Sequence, residues 1–139
     1  PYSLRRLAAR HPGVTLRSED GADLALWRTA STAVAPYNSA ATRRHMLHAL
    51  AGGVPVVTTT PVCDELAITP GQHALVAATP EDFAAAVARL AGDPVLGRLL
   101  ALRGRRLVAD RYDIPVALTG LGAAYEHVLV GASRCVLCS

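Results

Sequence analysis

The sequence predicts an α/β domain: a parallel sheet of about four strands, helices on both faces, and two further helices trailing at the C-terminal end. Three observations predict it. Short runs rich in β-branched residues alternate with stretches of helical periodicity through the first half of the chain. After the last such run the pattern is helical only. The spacing of strand and helix is that of right-handed βαβ units, which force neighbouring strands to be parallel. With 139 residues, 51% of them apolar and 4% aromatic, the chain suffices for one helix-rich domain with a real core.

Taken in order, Leu4, Leu7 and Ala8 recur at helical spacing until "HPG" at 11–13 stops the helix. "VTL" at 14–16 is the first strand candidate. "ADLALWRTAS" at 22–31 is an amphipathic helix carrying Leu24, Leu26 and Trp27, and "TAVAPY" at 32–37 a buried strand closed by Pro36. "ATRRHMLHALAGG" is the next helix, ended by Gly because a left-handed C-cap costs Gly little. "VPVVTTT" is the central strand, with Pro55 tolerated near its start. "ALVAA" at 74–78 follows a Pro70-Gly71 turn and makes the fourth strand. Thr79 or Pro80 opens "PEDFAAAVARLAG", whose inward face is Phe83, Val87 and Leu90. "DPVLGRLLALRGRRLVADRY" puts Leu96, Leu99, Leu100 and Leu107 inward and an Arg-rich stripe outward, and a last helix runs from about 114 to 130. The expected division is a Rossmann-like domain over 1–131 and a disordered tail over 132–139.

Composition excludes several classes. The net charge of +3 comes from 14 Arg and no Lys against 11 carboxylates, spread along the chain without interleaved aromatics, so a nucleic-acid surface is not expected. No apolar run approaches the ~20 residues of a membrane span. The first residues, Pro1 to Arg6, are neither a signal peptide nor an initiating Met, and a helix comes before any strand. The chain therefore reads as a piece whose opening strand precedes Pro1. Cys63 is isolated and Cys135 and Cys138 form a single CxxC, too few ligands for zinc.

In an open parallel sheet, ligands bind at the carboxyl ends of the strands, on the N-terminus of the following helix. That place is "YNSAAT", where Asn38, Ser39 and Thr42 can cap the helix and the small Ser39, Ala40 and Ala41 let a ligand reach the backbone. Amides and helix dipole together favour a diphosphate there, with Arg43 and Arg44 adding charge in the first turn. His45 and His48 share a side of the helix, but with no third ligand evident a metal is not expected. "TTPVCDEL" walls the same cleft as a loop, where Asp64 and Glu65 could bind hydroxyls or begin a short helix.

The combination "LRRLAARHPGVTL", "LHALAGGVPVV", "PGQHALVAATPEDFAAAVARLAGDP" and "RRLVADRYD" resembles the donor-binding half of GT-B-fold retaining glycosyltransferases of the group 1, family 4 type, from about residue 3 to 130. The resemblance implies transfer of a sugar from a nucleotide-diphosphate sugar to a glycan or lipid-linked acceptor, in bacterial cell-envelope or exopolysaccharide synthesis. The acceptor-binding domain and the phosphate-clamping Arg and Lys would then precede this chain. It further implies no metal or other cofactor, no transmembrane segment, and a location in the cytoplasm or peripherally at the inner face of the membrane.

Within the family a Glu, seven residues and a second Glu straddle the loop and helix, the second holding the donor ribose. Aligned on "LxALAxG", those slots are Ala40 and His48, and His45 falls where relatives carry a basic residue. A neutral imidazole accepts one hydrogen bond and cannot copy a bidentate carboxylate. The implied donor-binding set is thus Asn38, Ser39, Ala40, Ala41, Thr42, Arg43, His45 and His48, and no catalytic residue is identified. Two alternatives stay open: a degenerate member serving as a nucleotide-binding or scaffold module, and an unrelated α/β binding module.

Overall fold

A computed structural model of the chain describes residues 2–15, 24–36, 39–116 and 118. The elements are α1 (Tyr2–Arg10), α2 (Leu24–Thr29), β1 (Ala33–Ala35), α3 (Ala40–Ala51), β2 (Val56–Thr58), α4 (Thr60–Glu65), β3 (Leu75–Val76), α5 (Pro80–Gly92) and α6 (Pro94–Tyr112). The sheet is parallel, in the order β1-β2-β3, with Val34 opposite Val57 and Val57 opposite Leu75.

The α/β class and the parallel sheet are as the sequence predicts, but the described residues hold three strands, not four. Val14 and Thr15 are not in a strand. Val14 stays 40% exposed and donates its N–H to the His11 carbonyl at 2.9 Å, extending the turn that ends α1. A β-branched pair becomes a strand only when a neighbour accepts its backbone groups. Leu16 lies outside the described residues, as do the tail at 132–139 and residues 119–130 of the expected last helix, of which 114–116 form a helical turn. "TPVCDE" is a helix, α4, where the sequence suggests a loop or a short helix beginning at Asp64 and Glu65; the helix ends at those residues, and Pro61 near its start is compatible with a first turn.

The central strand fixes the core. Val56, Val57 and Thr58 are completely buried. Because successive strand side chains point to opposite faces, Val56 joins Met46, Leu50, Val62 and Cys63 beneath α3 and α4. Val57 joins Leu75, Ala77, Leu90 and Leu100 beneath α5. Thr58 is the buried polar residue of that strand, and its hydroxyl donates to the Ala35 carbonyl at 3.1 Å, tying the ends of β1 and β2 together.

Local signals set the helix ends. α3 closes through Gly52 and then Gly53, whose φ of 75° is the left-handed conformation a C-terminal glycine permits. The Val54 N–H then reaches the Ala49 carbonyl at 2.9 Å and the chain turns into β2. Asp93 ends α5 and caps α6, its carboxylate accepting from the N–H groups of Val95 and Leu96. α6 touches both α3 and α5, and so serves both core clusters instead of lying on one face. Its approach to α3 depends on Gly104, where a Cβ would fall 2.5 Å from Leu50 Cδ2. Phe83, Val87 and Leu90 point inward on α5 and Leu96, Leu100 and Leu107 on α6. Leu99 does not: it is 45% exposed, because the Leu-rich run is longer than the buried face of one helix.

Candidate functional site

Three helices start at the carboxyl edge of the sheet: α3 after β1, α4 after β2 and α5 after β3. Their caps are Ser39, Thr59 and Thr79, each in extended conformation. Of these three, α3 and α5 have side-chain caps and α4 does not.

At α3 the Ser39 hydroxyl oxygen accepts from the Thr42 N–H at 3.1 Å and lies 2.8 Å from the Thr42 hydroxyl. The Arg43 N–H donates to the Ser39 carbonyl at 2.9 Å. That leaves the amides of Ala40 and Ala41, the first two of the helix, with no acceptor inside it. Both residues are exposed, as is Ser39, so no large side chain of their own covers this turn. The first turn carries no acid. Backbone donors and the positive end of the dipole therefore meet solvent together, the arrangement that suits a phosphate group. Asn38 lies outside the described residues.

The Arg43 guanidinium is not simply presented to solvent. Its Nη1 is 3.0 Å from Glu65 Oε2, both side chains being partly exposed. The pair ties the first turn of α3 to the last turn of α4, and it gives Glu65 a partner other than the ligand hydroxyl that was one of its two open readings. Thr58, which fixes the strand ends below this edge, was not singled out by the sequence reading.

His45 and His48 are each half-buried. Ala41, His45, His48 and Gly52 follow one another at spacings of three or four residues along one side of α3, which places His48 well down the helix from the capped turn. A Cβ at Gly52 would come 3.1 Å from Trp27 Cβ, so α2 closes over that side at the far end of the helix. His48 Nδ1 is buried and finds no hydrogen-bond partner among the described residues.

Among the described residues no three His, Cys, Asp or Glu side chains converge as a metal site would require. Cys63 is buried in the core, and burial first, then the neighbouring Asp64, pushes its thiol pKa up; this is a packing residue, not a nucleophile. A groove of about 590 Å³ is found at the opposite end of the sheet, among the residues that precede β1 and β2 (Thr32, Pro55) and the start of α6 (Gly97, Arg98). Its lining is mostly apolar and includes no residue from the first turns of α3, α4 or α5.

A family model described as glycosyl transferases group 1 matches residues 2–93. Among solved structures, sucrose-phosphate synthase from Thermosynechococcus elongatus superposes with a TM-score of 0.76 at 20% sequence identity, over 94% of this chain and 34% of its own. The chain thus spans about a third of that protein, and at this identity the likeness speaks for the fold. No curated protein sequence matches the chain.

Proposed function

The chain belongs to the glycosyl transferases group 1 family, and from that premise we propose that it is the part that binds a nucleotide-diphosphate sugar. The observation that carries the reading is the start of α3: a Ser39-capped turn with exposed Ala40 and Ala41, free of acids, at the carboxyl edge of a parallel sheet. A diphosphate seated there receives two backbone N–H groups and the helix dipole. The same donors stabilise it as the leaving group when the bond to the sugar breaks, because they are already oriented when negative charge develops. The acceptor, a glycan or a lipid-linked glycan of the cell envelope, would be brought to the anomeric carbon by a second domain, so that transfer occurs between two held reactants. A cytoplasmic location follows from that choice of donor, and no metal is needed for it.

His48 is the point of contrast with the glycosyltransferases the sequence resembles. Where they present a carboxylate to the ribose, this chain has an imidazole, and its Nδ1 is buried. The one ring nitrogen left can make one hydrogen bond to one hydroxyl, so ribose binding is weaker than with Glu. That favours, as a second reading, a family member that binds nucleotide without turning it over.

Thermal unfolding in the presence of UDP- and GDP-sugars tests the reading. Ligand at a hundredfold over its dissociation constant contributes about 2.7 kcal/mol, several degrees of melting temperature for a domain of this size. His48→Glu should bind equally well or better. Absence of a shift with every nucleotide sugar, in both wild type and His48→Glu, would exclude donor binding by the chain.

A further inference from the structure

The turn between α4 and β3 rests against α6 and gathers three basic side chains. Its backbone is tied to itself: the N–H groups of Gln72 and His73 donate to the Thr69 carbonyl, both at 3.1 Å, and the Gly71 N–H donates to the Ala74 carbonyl at 2.8 Å. The half-buried His73 ring is fixed too, because its Nδ1 accepts from the Thr69 N–H at 3.0 Å. A nitrogen that accepts from an amide carries no proton, so the ring hydrogen is on Nε2, which is left as a donor. The turn meets α6 where the helix has no side chain: a Cβ at Gly104 would lie 3.4 Å from the His73 carbonyl oxygen. Two turns on, the Tyr112 hydroxyl donates to the Leu66 carbonyl at 3.0 Å and holds the end of α6 to the same connection.

Arg103, beside Gly104, and Arg111, beside Tyr112, thus stand at the two ends of this contact, about 12 Å apart along the helix axis. Burial first, then the charges of Arg103 and Arg111, lower the His73 pKa, so both guanidinium groups act on the ring. Both arginines are exposed, and neither forms an ion pair among the described residues. The nearest acids in the chain are engaged elsewhere: Asp110 lies 3.6 Å from Arg106, and Asp113 accepts from the Ile114 N–H at 2.8 Å. Positive charge is concentrated around a fixed N–H donor, and nothing described offsets it.

We propose that His73 Nε2, Arg103 and Arg111 bind a phosphate group, carried by a phosphate monoester or present as inorganic phosphate. Guanidinium forks make paired, charge-assisted bonds to phosphate oxygens, and the imidazole adds a donor from the turn opposite. Phosphate offers three strong acceptor oxygens to these three groups, where a carboxylate has two. The site precedes β3, at the amino edge of the sheet, whereas the capped turn of α3 follows the carboxyl end of β1. The inference therefore does not rest on donor binding at α3.

Imidazole proton–nitrogen NMR of the full chain in phosphate-free buffer tests it, with His73→Gln assigning the His73 signal. Inorganic phosphate and a hexose monophosphate, each titrated at an ionic strength held constant with sodium chloride, should shift that signal to saturation. Tighter binding of the monoester would make the ligand a phosphorylated metabolite and equal binding would make it phosphate itself; either supports the site. Arg103→Gln with Arg111→Gln should raise the dissociation constant tenfold or more. Arg103→Lys and Arg111→Lys, which keep the charge and lose the fork, should each raise it several-fold, and they serve as the test should the double variant fail to fold. The proposal is overturned if neither phosphate compound shifts the His73 signal, if sodium chloride alone reproduces the shift, or if the arginine changes leave the constant as it was.

Discussion

α3 and α5 begin on the same edge of the same sheet, and their first turns are built to opposite ends. At α5, Thr79 and Asp82 form a reciprocal capping box: the Thr79 hydroxyl accepts from the Asp82 N–H at 3.1 Å and the Asp82 carboxylate accepts from the Thr79 N–H at 3.1 Å. Pro80 removes one further donor, and Glu81 adds a second acid to that turn. The dipole of α5 is satisfied by its own residues. At α3 the cap is a neutral Ser39, two alanines follow, and the charge in the turn is Arg43. A helix start optimised for its own stability looks like α5. One that leaves its donors for something else looks like α3, and this difference, more than the loop composition, supports the proposal that an anion binds at α3.

The largest expected effect comes from making α3 resemble α5. Ala41→Asp places a carboxylate among the open amides. It should stabilise the unliganded protein by about 0.3–1 kcal/mol through the dipole. It should weaken nucleotide-diphosphate-sugar binding tenfold or more, since one unit charge is set against another in a site where each 1.4 kcal/mol is a factor of ten. Melting curves and titration calorimetry on one variant read both quantities. Opposite signs sharpen the comparison; a loss of stability together with unchanged binding breaks it.

The converse change removes the self-sufficiency of α5. Thr79→Ala deletes the cap and should cost about 1 kcal/mol. Because the donor is assigned to α3, affinity for the nucleotide sugar should stay within error of wild type. Ser39→Ala should cost a similar amount of stability, and it should also disturb binding, since Ser39 orders the turn that carries Ala40 and Ala41. Should Thr79→Ala prove the more damaging to affinity, the ligand sits at the wrong helix in the present reading.

The legibility of these regions from sequence follows the same physics. The limits of α3 and α5 were readable because caps are local: Ser39 with two small residues after it, Thr79-Pro80-Glu81-Asp82, and Gly52-Gly53 each determine an end within a turn of chain. The group 1 family was legible from "LHALAGGVPVV" and the α5 segment for the same reason. What failed depended on partners distant in sequence. Val14 and Thr15 have strand propensity and no strand beside them among the described residues. Leu99 belongs to a leucine run whose phase only the packing against α3 and α5 decides. The Arg43–Glu65 pair joins two helices with no local signature. The burial of His48 Nδ1 depends on packing around α3, which no spacing within α3 could reveal.

The smallest expected effect is a pH dependence that only one of the two turns can have. The Asp82 carboxyl lies below its ordinary pKa of 3.8, first because of its hydrogen bond with the Thr79 side chain and then because of the Thr79 backbone N–H. A depressed pKa in the folded chain means that the unfolded chain binds the proton more readily. The stabilisation is therefore complete above the ordinary value and is lost as pH falls through the lower, folded one. Ser39 does not ionise, so the cap of α3 gives no such term. In acid the two turns should converge, each left with a neutral cap. Asp82→Asn makes the same change at every pH, keeping an acceptor and removing the charge. The wild type should melt slightly higher than Asp82→Asn near neutrality, and the gap should close below about pH 4. A gap that persists into stronger acid would show that the carboxylate acts through shape and not through charge. The contrast between α3 and α5 would then rest on Glu81 and Pro80 rather than on the capping box.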